Sequence, residues 1–277
     1  SIIVERGMSA RDLECTSGEQ TFLAWHLSNP RGYIGWPKEA VLFHLPKERE
    51  LLEDTARRLA FEAYLEVSKL PYTKQSQQNA DYMSPSGTTP FLYLKYGGQP
   101  LIIWNFDHLR DFLCTLKLGR HGELDARQTA DMEAYVSVIR TKIIPAETYE
   151  TWAHSQNVRK HTMVLQGMGL AWPLRYFVPW TNWLTFCWRK WELWRSSRQS
   201  LLLECEQGCR ALSLRLGNKQ RFFDGGNTSC LDMLTYAHLQ AILSTPLPGG
   251  ELAHVVSQFK NLVQFTETYK ASLEQSS

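Results

Sequence analysis

The chain has 277 residues, 43% of them apolar, which suffices for one large or two modest domains and argues against disorder as the default. Its 30 lysines and arginines face 28 acidic residues, and a net charge of +2 offers no general electrostatic case for nucleic acid. Cys15, Cys114, Cys187, Cys205, Cys209 and Cys230 are scattered, with no visible signal peptide, which fits reduced thiols better than a disulfide framework. Cys205 and Cys209 stand four apart with no second pair, and the eight histidines show no HExxH spacing, so core packing is expected and a metal ion is not. The most apolar stretch, Met163 to Trp180, is broken by Gln166, Arg175, Pro173 and two glycines, whereas a membrane span needs about 20 mostly apolar residues.

Residues 1–35 are mixed and polar and read as an irregular N-terminal extension. A first strand is expected at Ala40–Leu45, then an amphipathic helix at Glu50–Val67, with Leu52, Ala56, Leu59, Ala63 and Val67 three or four apart. Pro71 stops that helix, and Tyr72–Gln75 suits a second strand. Asn79 to Thr89 is a turn-rich hinge that ends at Pro90, directly before the apolar run Phe91–Tyr96. Proline has no N–H to give a ladder, so at a strand's first residue it marks a defined entry; a cis Pro90 with a structural role is expected. Gly97-Gly98-Gln99 signals a hairpin into Pro100–Trp104, and a helix should follow from Phe106 to Leu118. This β-α-β, hairpin, helix order is that of a thioredoxin-like domain, placed at 36–118, with a linker at 119–125.

Beyond the linker the strand signals vanish, and 126–270 reads as an all-helical C-terminal domain with a polar tail at 271–277. Ala126 to Trp152 should be one helix kinked or broken by Pro145. Leu201–Leu216 places Leu202, Cys205, Cys209, Leu212 and Leu216 on one stripe and ends at Gly217, a suitable C-terminal cap. Ser229-Cys230-Leu231-Asp232 has the form of a capping box, Ser229 accepting an N–H and Asp232 returning the bond. A last helix is expected over Glu251–Tyr269, with Leu252, Val255, Phe259, Leu262 and Tyr269 along one face. A thioredoxin-like domain followed by a helical one is the glutathione-transferase-like architecture.

The segments Asn79–Leu92 (NADYMSPSGTTPFL), Ala171–Leu174 (AWPL), Arg210–Gly217 (RALSLRLG) and Cys230–Pro248, followed by Asn261, Leu262 and Phe265, resemble the metaxin family, the NADYMSPSG hinge being the most specific. The resemblance implies a non-catalytic protein without cofactor, peripheral on the cytosolic face of the mitochondrial outer membrane. It further implies a subunit of the sorting and assembly machinery that inserts β-barrel precursors, paired with a metaxin-1-like subunit and an outer-membrane β-barrel assembly subunit. One branch of the family carries a C-terminal anchor, whereas Glu267 to Ser277 is polar here, so recruitment through a partner is expected. Family members also work as adaptors in mitochondrial transport, and that role stays open beside a third reading, a divergent glutathione transferase.

Two stretches bear on the enzyme reading. A transferase needs a hydroxyl or thiol at the start of its first helix to hold the glutathione thiolate, and Leu45-Pro46-Lys47-Glu48-Arg49-Glu50 has neither. It also receives the peptide carboxylate on a Glu/Gln-Ser pair after the fourth strand, where this chain has Trp104-Asn105-Phe106-Asp107. Cys114 falls late in a predicted helix and is expected in the core.

Six of ten tryptophans cluster at Trp172, Trp180, Trp183, Trp188, Trp191 and Trp194. If 180–195 is one helix, the last five fall within roughly 140° at about 100° per residue, with Leu184 and Cys187, opposite Thr181, Asn182, Thr185, Arg189 and Glu192. Arg189, Lys190, Arg195 and Arg198 make the stretch basic. Such a face can pack into the core, form a partner interface through aromatic and arginine anchors, or lie at lipid headgroup level.

Overall fold

The computed structural model describes residues 35–96, 99–119, 124–223 and 228–275. Nearly all of the expected extension, Gly97 and Gly98 of the expected hairpin turn, linker residues 120–123 and the last two residues lie outside the described residues. The chain divides into two compact units: Ser1–Leu45 with Pro71–Gly119, and Pro46–Leu70 with Arg120–Ser277.

In the first unit, β1 (Ala40–His44) is followed in the chain by helix α1 (Leu52–Val67), which counts with the second unit. Then come β2 (Thr73–Ser76), the single turn α2 (Ala80–Met83), β3 (Phe91–Tyr96), β4 (Gln99–Ile103) and α3 (Phe106–Thr115). The sheet order is β2-β1-β3-β4, parallel between β1 and β2 and antiparallel elsewhere. Alternation along β3 sends Leu92, Leu94 and Tyr96 to one face and Phe91 and Tyr93 to the other. On the first face Tyr96 meets Phe112 of α3 edge-on, ring centroids 6.2 Å apart. On the second, Leu45, Ala80 and Phe91 form a buried cluster against Phe43, Tyr93, Ile102 and Trp104, with Phe43 stacked on Phe91 at 5.0 Å. Pro100 sits on β4, an edge strand, where the missing N–H removes no central ladder bond. The Thr89–Pro90 peptide is cis and both residues are buried at the mouth of β3.

The second unit is helical. Asp125 caps α4 (Ala126–Val138), accepting the Gln128 N–H at 2.6 Å, while Gln128 Oε1 accepts the Asp125 N–H at 3.1 Å. The stretch expected to be helical over 126–152 with an interruption at Pro145 is helical, and the interruption is a π-helical turn, Ile139–Ile143, that joins α4 to α5 (Ile144–Trp152). The wider turn lets Pro145 fall in the first turn of α5, where its missing N–H costs no helical bond, so the chain stays helical through it. After α6 (Ser155–Asn157) a second π-helical turn, Val158–Thr162, leads into α7 (Met163–Gly167). Then follow α8 (Leu174–Arg189), α9 (Trp191–Trp194) and α10 (Arg198–Leu216), which ends at Gly217 with a φ of 56° that favours glycine. Cys205 and Cys209 are buried on α10; their mutual hydrogen bond and burial push the Cys205 thiol well up.

Helix α11 (Cys230–Ser244) is buried on nearly every side and packs on α1, α4, α12 (Glu251–Ser257) and α13 (Lys260–Glu274). The single terminal helix expected over 251–269 is thus two, parted at Gln258–Phe259 with no glycine or proline to mark the break. At the start of α11, Ser229 Oγ accepts the Asp232 N–H at 3.2 Å. Asp232 in turn accepts from Ser229 N–H at 2.7 Å, Ser229 Oγ at 2.5 Å and Phe222 N–H at 2.9 Å. Burial pushes the Asp232 carboxyl up against those donors. Replacing Asp232 by Ala strands three buried donors and is expected to lower stability by about 3 kcal/mol, against about 1 kcal/mol for Ser229→Ala, read from urea midpoints.

Candidate functional site

Two places in the fold bear on function. The first comprises two helix starts, the entry to α1 and the entry to α3, each taken by itself. Residues 46–50 lead into α1, and of these Arg49 and Glu50 are buried. Glu50 pairs with Arg58 at 2.6 Å and accepts from Thr55 Oγ1 at 3.4 Å. The first turn of α1 carries Glu53 and Asp54, and Asp54 Oδ2 accepts the Leu51 N–H at 3.3 Å. Burial pushes the Glu53 carboxyl up, with Arg57 opposing it. At the start of α3, Asn105 Oδ1 accepts the Asp107 N–H at 3.0 Å, and Asp107 lies 3.9 Å from Arg110. Helix N-termini favour anions because their first N–H groups are unpaired and the dipole is positive there. Here both ends are engaged by the chain's own side chains and carry carboxylates in their first turns.

The expectation that Cys114 is core is corrected: on α3 it is exposed, because α3 turns Leu109, Phe112 and Leu113 inward instead. Among the described residues no group of three or more His, Cys, Asp or Glu is placed to hold a metal ion.

The second place is the aromatic surface of the helical unit. The continuous helix expected over 180–195 is corrected: α8 stops at Arg189, Lys190 leaves helical geometry at φ −114° and ψ 38°, and α9 is a separate single turn. The five tryptophans therefore do not share one helical face. Trp183 turns inward, its Nε1 donating to the Trp152 carbonyl at 3.2 Å, and Phe186 stacks on Trp152 at 5.7 Å. Asn182 Nδ2 reaches Gln166 Oε1 at 3.3 Å, and Pro179 is the one buried residue of α8. The packed side of α8 is thus Pro179, Asn182, Trp183 and Phe186.

The outward side is also apolar. Phe177, Trp180, Leu184 and Trp188 fall within about 80° of one another at about 100° per residue, opposite Pro179 and Phe186. Phe177 is 68% exposed, Trp180 53%, Leu184 51% and Trp188 84%. Trp172 precedes them at 82% exposure, across a cis bond to Pro173. Trp191 stacks on Trp194 at 5.3 Å with the Arg195 guanidinium 5.5 Å from the Trp191 ring, and both rings are exposed. The core-packing reading of the tryptophan face fails for every one of these but Trp183. What the sequence pattern missed is that α8 has two apolar sides. Phe177 and Tyr176 belong to the exposed one as well.

The fold is that of the glutathione-transferase-like class: the chain resembles a glutathione transferase family member from Pseudomonas fluorescens pf-5, solved with two glutathione bound, at a TM-score of 0.55 and 13% identity over 91% of this chain and 97% of that one. Residues 205–269 match the model of the glutathione S-transferase C-terminal domain, and residues 59–182 match that of the outer mitochondrial membrane transport complex protein family. Metaxin-2 of Mus musculus is 32% identical over 240 residues, covering 83% of this chain and 87% of that protein; Metaxin-1 of the same species is 28% identical over 66% of this chain and 59% of that protein. The chain belongs to the metaxin family.

The two sides of α8 should respond differently to substitution. Trp183→Phe loses a half-buried hydrogen bond and is expected to cost about 1 kcal/mol, whereas Trp188→Ala should stay within about 0.5 kcal/mol of the parent in chemical denaturation.

Proposed function

We propose that this chain is a non-catalytic subunit of a mitochondrial outer-membrane protein transport complex. It would belong to the sorting and assembly machinery, supporting insertion of β-barrel precursors through protein–protein contacts. The observation that carries the non-catalytic reading is the entry to α1: residues 45–50 hold no hydroxyl or thiol, and the first helical turn presents Glu53 and Asp54 where a thiolate would need donors. The family membership and the match of residues 59–182 to a transport complex model support the assembly role.

In this reading the partners are a metaxin-1-like subunit and an outer-membrane β-barrel assembly subunit. The protein is peripheral and faces the cytosol; no helix among the described residues is long and apolar enough to cross a membrane. The domain scheme is a thioredoxin-like domain at 36–118, a linker at 119–125 and a helical domain at 126–270, with Pro90, Ser229 and Asp232 in structural roles.

Purified chain is expected to pass over immobilised glutathione without retention and to show no conjugation of a general electrophile. Retention together with turnover would replace this reading with that of a divergent transferase. Affinity-tagged chain in mitochondria should co-purify with a metaxin-1-type subunit and an outer-membrane β-barrel assembly subunit. Recovery of transport-motor components in their place would assign it to a trafficking adaptor.

A further inference from the structure

The outward side of α8 lies in a stretch of one-sided charge. From Thr151 through Trp191 the chain contains no Asp or Glu and carries Arg159, Lys160, Arg175, Arg189 and Lys190. All five cations are exposed. Beyond the stretch, Arg195 adds another exposed cation against the exposed Trp191 ring. Large aromatic and aliphatic side chains thus stand in water in a run without acidic residues, with exposed cations at the ends of α8, Arg175 at one and Arg189 and Lys190 at the other, rather than within the row.

We propose that this face docks directly onto an anionic phospholipid surface, with α8 lying in the plane of the headgroups. Phe177, Trp180, Leu184 and Trp188 recur at three- and four-residue steps, so they form a row along the helix axis and reach a common depth when the axis lies parallel to the surface. The opposite side is tied to the body through Pro179, Trp183 and Phe186, so α8 is held with the row outward. Tryptophan and tyrosine are the residues that settle at headgroup level, and long basic side chains at the ends of the helix answer the negative potential of an anionic leaflet. A protein partner would use the same aromatic anchors, but the acid-free run favours a continuous negative surface over a mixed-charge protein rim. This contact needs no protein partner and so goes beyond the assembly role proposed above.

The test is flotation of the full chain with phosphatidylcholine vesicles made with and without phosphatidylinositol. Flotation is expected with the anionic vesicles and should weaken as salt rises. The double variant Trp180→Ser/Trp188→Ser is expected to lose about tenfold or more in vesicle affinity. Arg175→Glu/Lys190→Glu should abolish the preference for anionic lipid. Far-UV circular dichroism checks the folds, and Trp188→Ser alone, at a fully outward ring, serves if the double variant unfolds. The proposal is overturned if the parent chain does not float, or if the aromatic variants float like the parent. It is equally overturned if those variants keep their flotation and lose co-purification of the metaxin-1-type subunit, which makes the row a protein interface. Loss of flotation with co-purification intact upholds it.

Discussion

The helical unit is organised around α11, a helix with almost no solvent-facing side. Enclosing a helix presses the polar groups on it to find partners inside the protein, since an unmet buried group costs more than a hydrogen bond returns. On α11 Thr235 Oγ1 goes without one, while Asp232 and His238 are met. Asp232 meets that demand at the N-terminus by gathering the N–H groups of Ser229 and Phe222. Halfway along, the buried His238 places Nδ1 2.9 Å from Glu147 of α5, so a polar pair joins the two helices across the core. A second buried carboxylate, Glu150, is held bidentately by Arg198 at 2.7 and 3.1 Å and by Asn157 at 2.8 Å. The first contact fixes α5 against the central helix, and the second fixes α10 against α5.

The starts of α1 and α3 are both engaged by short side chains of the chain itself. Asp54 accepts the Leu51 N–H and Asn105 the Asp107 N–H. No large rearrangement is involved; short acidic or amide side chains at the entries suffice, because a helix N-terminus offers only its first few N–H groups. The thioredoxin-like sheet itself stands independently of this chemistry, held by the Leu92–Leu94 face against α3 and the Phe43–Phe91 stack on the other side.

Where a structural signal is local, the residues announce it: the Ser229–Asp232 box, Gly217 at positive φ and the alternation of β3 all depend on a few neighbours in sequence. The misreadings arise where the outcome is decided by tertiary fit. Periodicity shows that α8 is apolar at 180, 183, 184 and 188, but it does not say which of two apolar sides meets Trp152. The stop at Lys190 and the break at Gln258 carry no glycine or proline, so the packing of the next helix sets them. Pro145 announces an irregularity in the sequence, but that a π-helical turn absorbs it depends on the surrounding packing. Cys114 stays outside the core because a short helix with buried Leu109, Phe112 and Leu113 has no room left inward for the next position.

Gly167, at the end of α7, shows how unevenly this surface can drift. A Cβ there would stand 2.6 Å from the carbonyl oxygen of Arg175 in the first turn of α8. That carbonyl is the one whose helical donor would be residue 179, and Pro179 has no N–H to offer. The close approach of α7 and the missing bond meet at one atom, so residue 167 tolerates no side chain unless α8 pivots. The outward rings, by contrast, could exchange among Trp, Tyr, Phe and Leu with little effect on the body. The outward rings can thus be exchanged at little cost to the fold, while the tilt at which α8 offers them depends on a glycine outside the helix.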